Sequence, residues 1–399
     1  MAHILRQPAV VLSGNPNALG VVRALGEQGI PVVVIHYAPY DIAQRSKYAS
    51  VSIAAPHPEK DPERFLSLLL EHAQEWAGGV IFPTADETVV FASRHKGLLE
   101  KYFKVACPFW DIAERYIEKR QTYALANACG VPVPQTLVPQ NDEEIVEFAR
   151  RIEFPCLVKP SEGHLYFAHF KRKMTSVANP EELLVAYREA RDAGFEVMLQ
   201  EYIPGNDDTV VNYNAYFVDG QAKAEFTSRH TRNAPPWFGS PRVACSERIP
   251  EVIEPGRKIL QALDFNGYAC TEFKYDHRDG LFKLMEVNGR HNLSTLLAVR
   301  CGLNFPLLHY RHLAFGDEPR AEGYEEGRYW IDLVRDIGFS LTYRSQEPYR
   351  LIDYLRPYLH RPVFAILSLR DPMPFWARMM FIMHKTFQKA EDSTVPGTR

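Results

Sequence analysis

Along the first third of the chain, apolar runs and helical spacings alternate in the manner of a parallel α/β sheet. A short apolar run, Ala9–Leu12, ends at Ser13-Gly14-Asn15-Pro16-Asn17-Ala18-Leu19-Gly20. Helical spacing follows through Val21, Val22 and Leu25, with a break at Gly29 and a second apolar run at Val32–Ile35. Strand, glycine turn, helix and strand open a doubly wound sheet. A helix over Pro62–Trp76, a strand at Gly79–Phe82 and a short strand in Lys104–Pro108 continue the alternation, so residues 1–112 read as one leading α/β domain. Phe82–Glu87 leaves its strand at the carboxyl end, where open sheets place ligands.

A different pattern follows. A helix over Ile112–Cys129 stops at Gly130, and Val131-Pro132-Val133-Pro134 forms a stiff extended link. Next come a helix near Asp142–Ile152, a strand at Cys156–Lys159, an irregular basic loop, a helix near Pro180–Ala193 and a strand at Glu196–Gln200. Strand-like runs occupy Val210–Phe217, Ala222–Thr227, Tyr268–Tyr275 and Leu281–Val287. This mixed α+β order predicts two small subdomains that close on each other within residues 113–318. Residues 319–399, rich in Tyr, Arg and Pro, are expected to form a small, mainly helical C-terminal extension ending near Phe375–Ala390. Phe375, Trp376, Met379, Met380, Ile382, Met383 and Phe387 lie mostly on one side of that last helix. Packing against the body is its expected role, with membrane-surface contact or homodimerisation as the alternatives.

Composition narrows the function. At 399 residues the chain calls for two or three subdomains. Apolar residues at 46% and charged residues at 24% are those of a globular enzyme. A net charge of −3 supplies no general basic field, which argues against nucleic acid as a partner. Six scattered cysteines without a C-x-x-C pair suit neither a zinc site nor a disulfide framework and fit a reducing cytosol. Met1–Gln7 lacks the order of a signal peptide and no apolar stretch nears a membrane span, so a cytoplasmic location is expected.

The chemistry concentrates in Thr271-Glu272-Phe273-Lys274-Tyr275 and Leu284-Met285-Glu286-Val287-Asn288-Gly289-Arg290. Two strands joined by a turn at Asp279-Gly280 would set Glu272 opposite Glu286, with Asn288 on the same face. These hard oxygen donors suit Mg²⁺ bridging to nucleotide phosphates. Arg290, on the same face, could neutralise a transferring phosphoryl group. The alternative is an exposed hairpin with ordinary surface charges, the better reading for any one carboxylate alone. Lys159 at a strand end and Lys119 on the preceding helix could reach phosphates from two sides. The loop His164–Lys173 carries Lys171, Arg172 and Lys173 and could fold over a triphosphate. Met198–Gly205 is an apolar strand running into a Pro-Gly hinge, able to pair with an adenine edge. Asp207 or Asp208 could accept from ribose hydroxyls.

This order of elements resembles the ATP-grasp superfamily over roughly Ile112–Phe315. A lysine precedes a Val-Pro-x-Pro link, a second lysine ends the next strand, the hinge reads QEYIPG, and EF is followed by EVNGR. Within the superfamily it is most similar to the carboxylate–amine ligase branch that includes D-aspartate ligase. The resemblance implies an α/β leading domain followed by an α+β ATP-grasp fold. It implies that Lys119 and Lys159 hold the α- and β-phosphates of ATP, and that Gln200, Glu201 and the Ile203 backbone meet adenine. It gives Asp208 the ribose, Glu272, Glu286 and Asn288 the Mg²⁺ (or Mn²⁺), and Arg290 the acyl-phosphate and tetrahedral states. Ser161 and Lys171 would serve as lid contacts, although PSEGHLYFAHFKRK has only Gly163 where many members have a glycine-rich lid.

The implied reaction activates a small carboxylate, such as an amino acid, as an acyl phosphate and passes it to an amine. Arg229 or Arg232 is expected to bind a substrate or phosphate anion. Three rivals stand beside this reading: a kinase-like enzyme without an amine step, a non-catalytic nucleotide-binding regulator, and a nicotinamide-dependent oxidoreductase. The last is disfavoured because the first turn reads G-N-P-N-A-L-G, not G-x-G-x-x-G, and no acidic residue ends the second strand at Ile35-His36. Phe82–Glu87 and Thr231–Ser240 are the expected substrate-facing loops.

Overall fold

A computed structural model describes residues 7–160, 166, 169–170, 172, 174–237, 239–321, 323–347 and 349–394, with side chains described as far as Thr386. Strands β1 (Ala9–Leu12), β2 (Val32–His36), β3 (Ala49–Ala54), β4 (Val80–Pro83) and β5 (Lys104–Val105) form a parallel sheet in the order β3-β2-β1-β4-β5. β1 is central and wholly buried, which is why it reads as an unbroken apolar run. β3 sits at the sheet edge with alternating exposure, and its Ala-Ser-Val-Ser-Ile-Ala composition hid it from the sequence reading. Asn15 caps the helix Pro16–Gly26, its side chain accepting from the Ala18 N–H at 2.9 Å. The amides of Asn15 and Asn17 also donate to the Thr84 carbonyl at 3.3 and 3.2 Å, tying the first turn to the end of β4.

The single helix expected over Ile112–Cys129 is two, Trp110–Ile117 and Lys119–Ala128. Glu118 separates them with an extended ψ of 104°, and the Thr122 hydroxyl donates to the Arg115 carbonyl at 2.9 Å across the break. Lys119 thereby becomes the first residue of the second helix.

A four-stranded antiparallel sheet follows, in the order β6-β9-β7-β8, from β6 (Thr136–Leu137), β7 (Cys156–Pro160), β8 (Thr175–Val177) and β9 (Val197–Glu201). Helices Asp142–Ala149 and Pro180–Asp192 bury Ile145, Phe148, Leu183 and Ala190 in one cluster with Val158 and Leu199 of this sheet.

The largest sheet has the order β14-β13-β10-β11-β12-β15-β16. Its strands are β10 (Val210–Val218), β11 (Gln221–Ala234), β12 (Ser240–Ser246), β13 (Gly267–Asp276), β14 (Leu281–Asn288), β15 (Tyr329–Ile331) and β16 (Val363–Phe364). Strand alternation gives it two unlike faces. Val211, Tyr213, Ala215, Phe217, Phe273 and Val287 share a core with Ile259 and Leu260 of the helix Ile253–Ala262. The opposite face sets Glu286, Glu272, Asn212 and Ser228 side by side in one row of register partners.

The C-terminal segment is not simply a helical extension, because β15 pairs with β12 and β16 with β15. Helix Leu333–Thr342 is fixed to the sheet through Asp336, which accepts from Arg232 twice at 2.8 Å and from Arg242 at 2.9 Å, all three side chains being buried. Further on, Asp371 meets buried Arg23 of the leading domain at 2.9 Å. Removing one partner of such a pair strands a buried charge. Asp336→Ala is therefore expected to lower unfolding free energy by about 3–5 kcal/mol in a urea titration, and a change below about 1 kcal/mol would refute this account.

Candidate active site

The β13–β14 hairpin sets Glu272 directly opposite Glu286, as its alternation and Asp279-Gly280 turn predict. Two carboxylates in register repel each other. Burial and the neighbouring Glu286 push the Glu272 carboxyl up to about 7. The Lys119 ammonium lies 4.0 Å from Glu286, whose charge raises the Lys119 pKa. Facing them, Lys159 at the end of β7 donates to the Gln200 side chain. Burial, with Lys119 second, drops the Lys159 pKa to about 7.

These groups line one cleft of about 200 Å³ between the small sheet and the large one. Its walls include Lys119, Lys159, Gln200, Glu201, Ile203, Glu272 and Glu286, gathered from five separate stretches of chain. Leu157, Met174, Ile203 and Met285 supply apolar surface on which a flat ring could rest.

Not every expected residue takes the place assigned to it. The Gln200 side chain is fully buried and engaged, accepting from Lys159 and donating to the Tyr123 hydroxyl at 3.1 Å. The Glu201 carboxylate is likewise committed, accepting from Arg278 at 2.6 Å and from the Gln135 N–H at 3.0 Å, with Lys283 at 3.6 Å. Only the main chain of the hinge remains for a base edge. Asp208 lies outside the cleft lining, and its carbonyl accepts from Arg229 at 2.8 Å. Arg229 is also away from the cleft, paired to Glu247 through two contacts of 2.8 Å. Arg232 is sequestered by Asp336, so neither arginine is placed to meet an anion there. Asn288 sits opposite Cys270, two pairs along from the two glutamates and outside the cleft lining. Ser161 and Lys171 lie outside the described residues.

Arg290 reaches across to the leading domain. Its Nε and Nη2 donate to the two Asp86 oxygens at 2.6 and 3.1 Å, and Asp86 begins the helix Asp86–Arg94 after β4. Gly289 lets the chain pass here, since a Cβ would stand 2.3 Å from the Tyr116 hydroxyl. Phe82–Glu87 thus approaches the site through Asp86.

Four neighbours escaped the sequence reading. The Tyr123 hydroxyl donates to the Met285 carbonyl at 2.8 Å and accepts from Gln200, joining three elements at the cleft. Lys274 shares the Glu272 face two residues on, a spacing that could have revealed it, and burial lowers its pKa. Trp237 is held by its N–H donating to buried Asp207 at 2.7 Å. His230 lies 4.0 Å from Glu272, and burial drops its pKa to about 4, keeping it neutral.

The small antiparallel sheet and the polar-faced large sheet, with the lysine–glutamate cleft between them, make up an ATP-grasp fold. The L-amino acid ligase from Bacillus licheniformis has a similar fold, with a TM-score of 0.60 and 16% identity over 77% of this chain and 74% of that one. In sequence the chain is similar to D-aspartate ligase from Enterococcus faecium (strain Aus0004), 26% identical over 315 residues and 74% of each chain. It also matches D-alanine–D-alanine ligase from Francisella tularensis subsp. novicida (strain U112), 32% identical over 165 residues, 39% of this chain and 53% of that one. That match spans only about half the length of the relative. No protein-family model matches the chain. Within the ATP-grasp fold, the chain's likenesses in sequence are to carboxylate–amine ligases.

The depressed Lys159 gives a direct check on the cleft. The folded protein releases this proton near pH 7, while an unfolded lysine holds it to about 10.4. Between these values the unfolded chain binds more protons, so this group's contribution to stability rises with pH. In protein carrying ¹³C-methylated lysines, one resonance absent from Lys159→Met is expected to titrate near pH 7. Its titration at the ordinary lysine position would show that the cleft does not desolvate it.

Proposed function

We propose that this protein uses ATP to activate the carboxylate of an amino acid or similar small acid as an acyl phosphate, then joins it to an amine. The observation that carries the reading is the charge layout of the cleft: two carboxylates in register on one wall, two lysines beside them. Burial first, and the like-charged neighbour second, displaces the pKa of Lys159 downward and that of Glu272 upward. A triphosphate with its cation relieves both, placing anions near Lys119 and Lys159 and a cation near Glu272 and Glu286.

The donor set suits Mg²⁺, since both glutamates offer hard oxygens and Glu272 resists ionisation without a cation beside it. Asn288, two pairs further along the same face, is the candidate third donor. When bound, the ion would neutralise phosphate charge during phosphoryl transfer. The remaining work falls to the chain itself. Lys119 and Lys159 hold the phosphates, the Ile203 hinge and its apolar neighbours seat the base, and the two sheets shield the acyl phosphate from water. Arg290, held by Asp86, presents a fixed guanidinium to the anion on the acid or its phosphorylated form. Neutral His230 cannot serve as a proton donor at neutral pH.

ADP and phosphate release should require an acid and an amine together, and a pairwise amino-acid screen reads this directly. Acid with hydroxylamine in place of the amine should yield a hydroxamate, the product of a trapped acyl phosphate. Glu286→Gln and Arg290→Ala are each expected to lower kcat roughly 10²–10³-fold. Full nucleotide turnover with acid alone, leaving a stable phosphorylated product, would overturn the amine step.

A further inference from the structure

The C-terminal segment exposes a concentration of apolar side chains that the ligase site does not use. Among the described residues, twelve of the twenty exposed large hydrophobic side chains lie between Ile337 and Met383. They follow helical stripes. On the helix Met373–Thr394 the exposed positions are Met373, Trp376, Met380 and Met383, at spacings of three and four that keep them on one side. On the helix Leu351–Leu359 they are Leu351, Ile352, Leu355 and Leu359, again one side. Leu369, in the connection between them, is 96% exposed.

Charge indicates what covers this surface. Between Arg344 and Thr394 there are eight Lys and Arg residues against five carboxylates, in a chain whose net charge is −3. Glu347 is neutralised internally by Arg242 at 2.5 Å and Asp371 by Arg23 at 2.9 Å, while Arg350 pairs with Asp353 and Arg361 with Glu325, leaving a smaller positive surplus. Arg344, Arg356, Arg370 and Lys385 are exposed. Apolar stripes with a tryptophan, flanked by surplus positive charge, match the boundary of an anionic bilayer, where apolar side chains enter the acyl region and cations meet headgroups. A second copy of this chain would instead set two positively charged surfaces against each other. Crossing the bilayer is not the mode, because no helix among the described residues is long and apolar enough. The segment is also rigidly mounted, through Asp336 on Arg232 and Arg242 and through Asp371 on Arg23.

We propose that the helices Leu351–Leu359 and Met373–Thr394 dock this protein onto the surface of a membrane rich in anionic phospholipid. This surface is separate from the nucleotide cleft, and the proposal stands whether or not the ligase reading holds.

Flotation of the full chain with vesicles provides the test. The protein should rise with phosphatidylcholine vesicles containing about 30 mol% phosphatidylglycerol and remain behind with pure phosphatidylcholine, since polybasic surfaces need anionic lipid. Raising NaCl to about 0.5 M should weaken binding by screening the charges. Trp376→Glu/Met380→Glu and, separately, Arg370→Glu/Lys385→Glu should each reduce bound protein at least about tenfold. All four positions face solvent or lie at the surface, and an unchanged melting temperature would confirm that each variant is folded. Equal flotation with both vesicle types, or undiminished flotation of both variants, would overturn the proposal. So would failure to float by a wild-type protein that sediments as a dimer and becomes monomeric on Trp376→Glu/Met380→Glu, showing that a second copy covers the stripe.

Discussion

Like charges held in register on adjacent strands set the terms for the rest of this molecule. Glu272 and Glu286 face one another because β13 and β14 pair at that position, and a one-residue slip would turn them to opposite sides. Their repulsion is met by Lys119 and Lys159, which come from outside the hairpin and must be brought there by other devices. The helix break at Glu118 makes Lys119 a first-turn residue, and the Tyr123–Gln200 bond fixes the small sheet's central strand against that helix. The cleft is thus an assembly of five chain segments around one electrostatic problem, which a metal-bound polyphosphate would resolve on the proposed reading.

The hairpin was legible in the sequence because its information is local: period-two alternation, a turn signal and carboxylates at matched distances from it. The opening parallel sheet was legible for the same reason, as buried parallel strands read as plain apolar runs. β12, β15 and β16 were not. The last two span only three and two residues, too few for any periodicity to show; β15 pairs with the distant β12, and β16 only with β15. The break at Glu118 also escaped, since the apolar spacing runs through it and only the Thr122 hydroxyl bonds betray the change of direction.

Site residues divide along the same line. Lys159, Glu272 and Glu286 could be placed because each sits on a strand whose partner is close in sequence or whose end is marked. Gln200 and Glu201 end β9, and their side chains are tied to Tyr123, Arg278 and Lys283, partners at 77, 77 and 82 positions' remove. Arg229 and Arg232 looked available because their counter-ions, Glu247 and Asp336, stand on other elements. A charged residue's partner is a tertiary fact, and adjacent sequence does not contain it.

Arg290 follows the last residue of β14 in the large sheet, and its keeper, Asp86, starts a helix after β4 of the parallel sheet. A nucleotide-binding module cut from this chain ahead of Trp110 would keep Lys119, Tyr123, Lys159 and the glutamate hairpin but lose Asp86, and its arginine would stand without that partner. The leading domain therefore works as the arginine's tether as well as a neighbouring wall, and grafting another such domain in its place would succeed only if an acid stood at the same helix start.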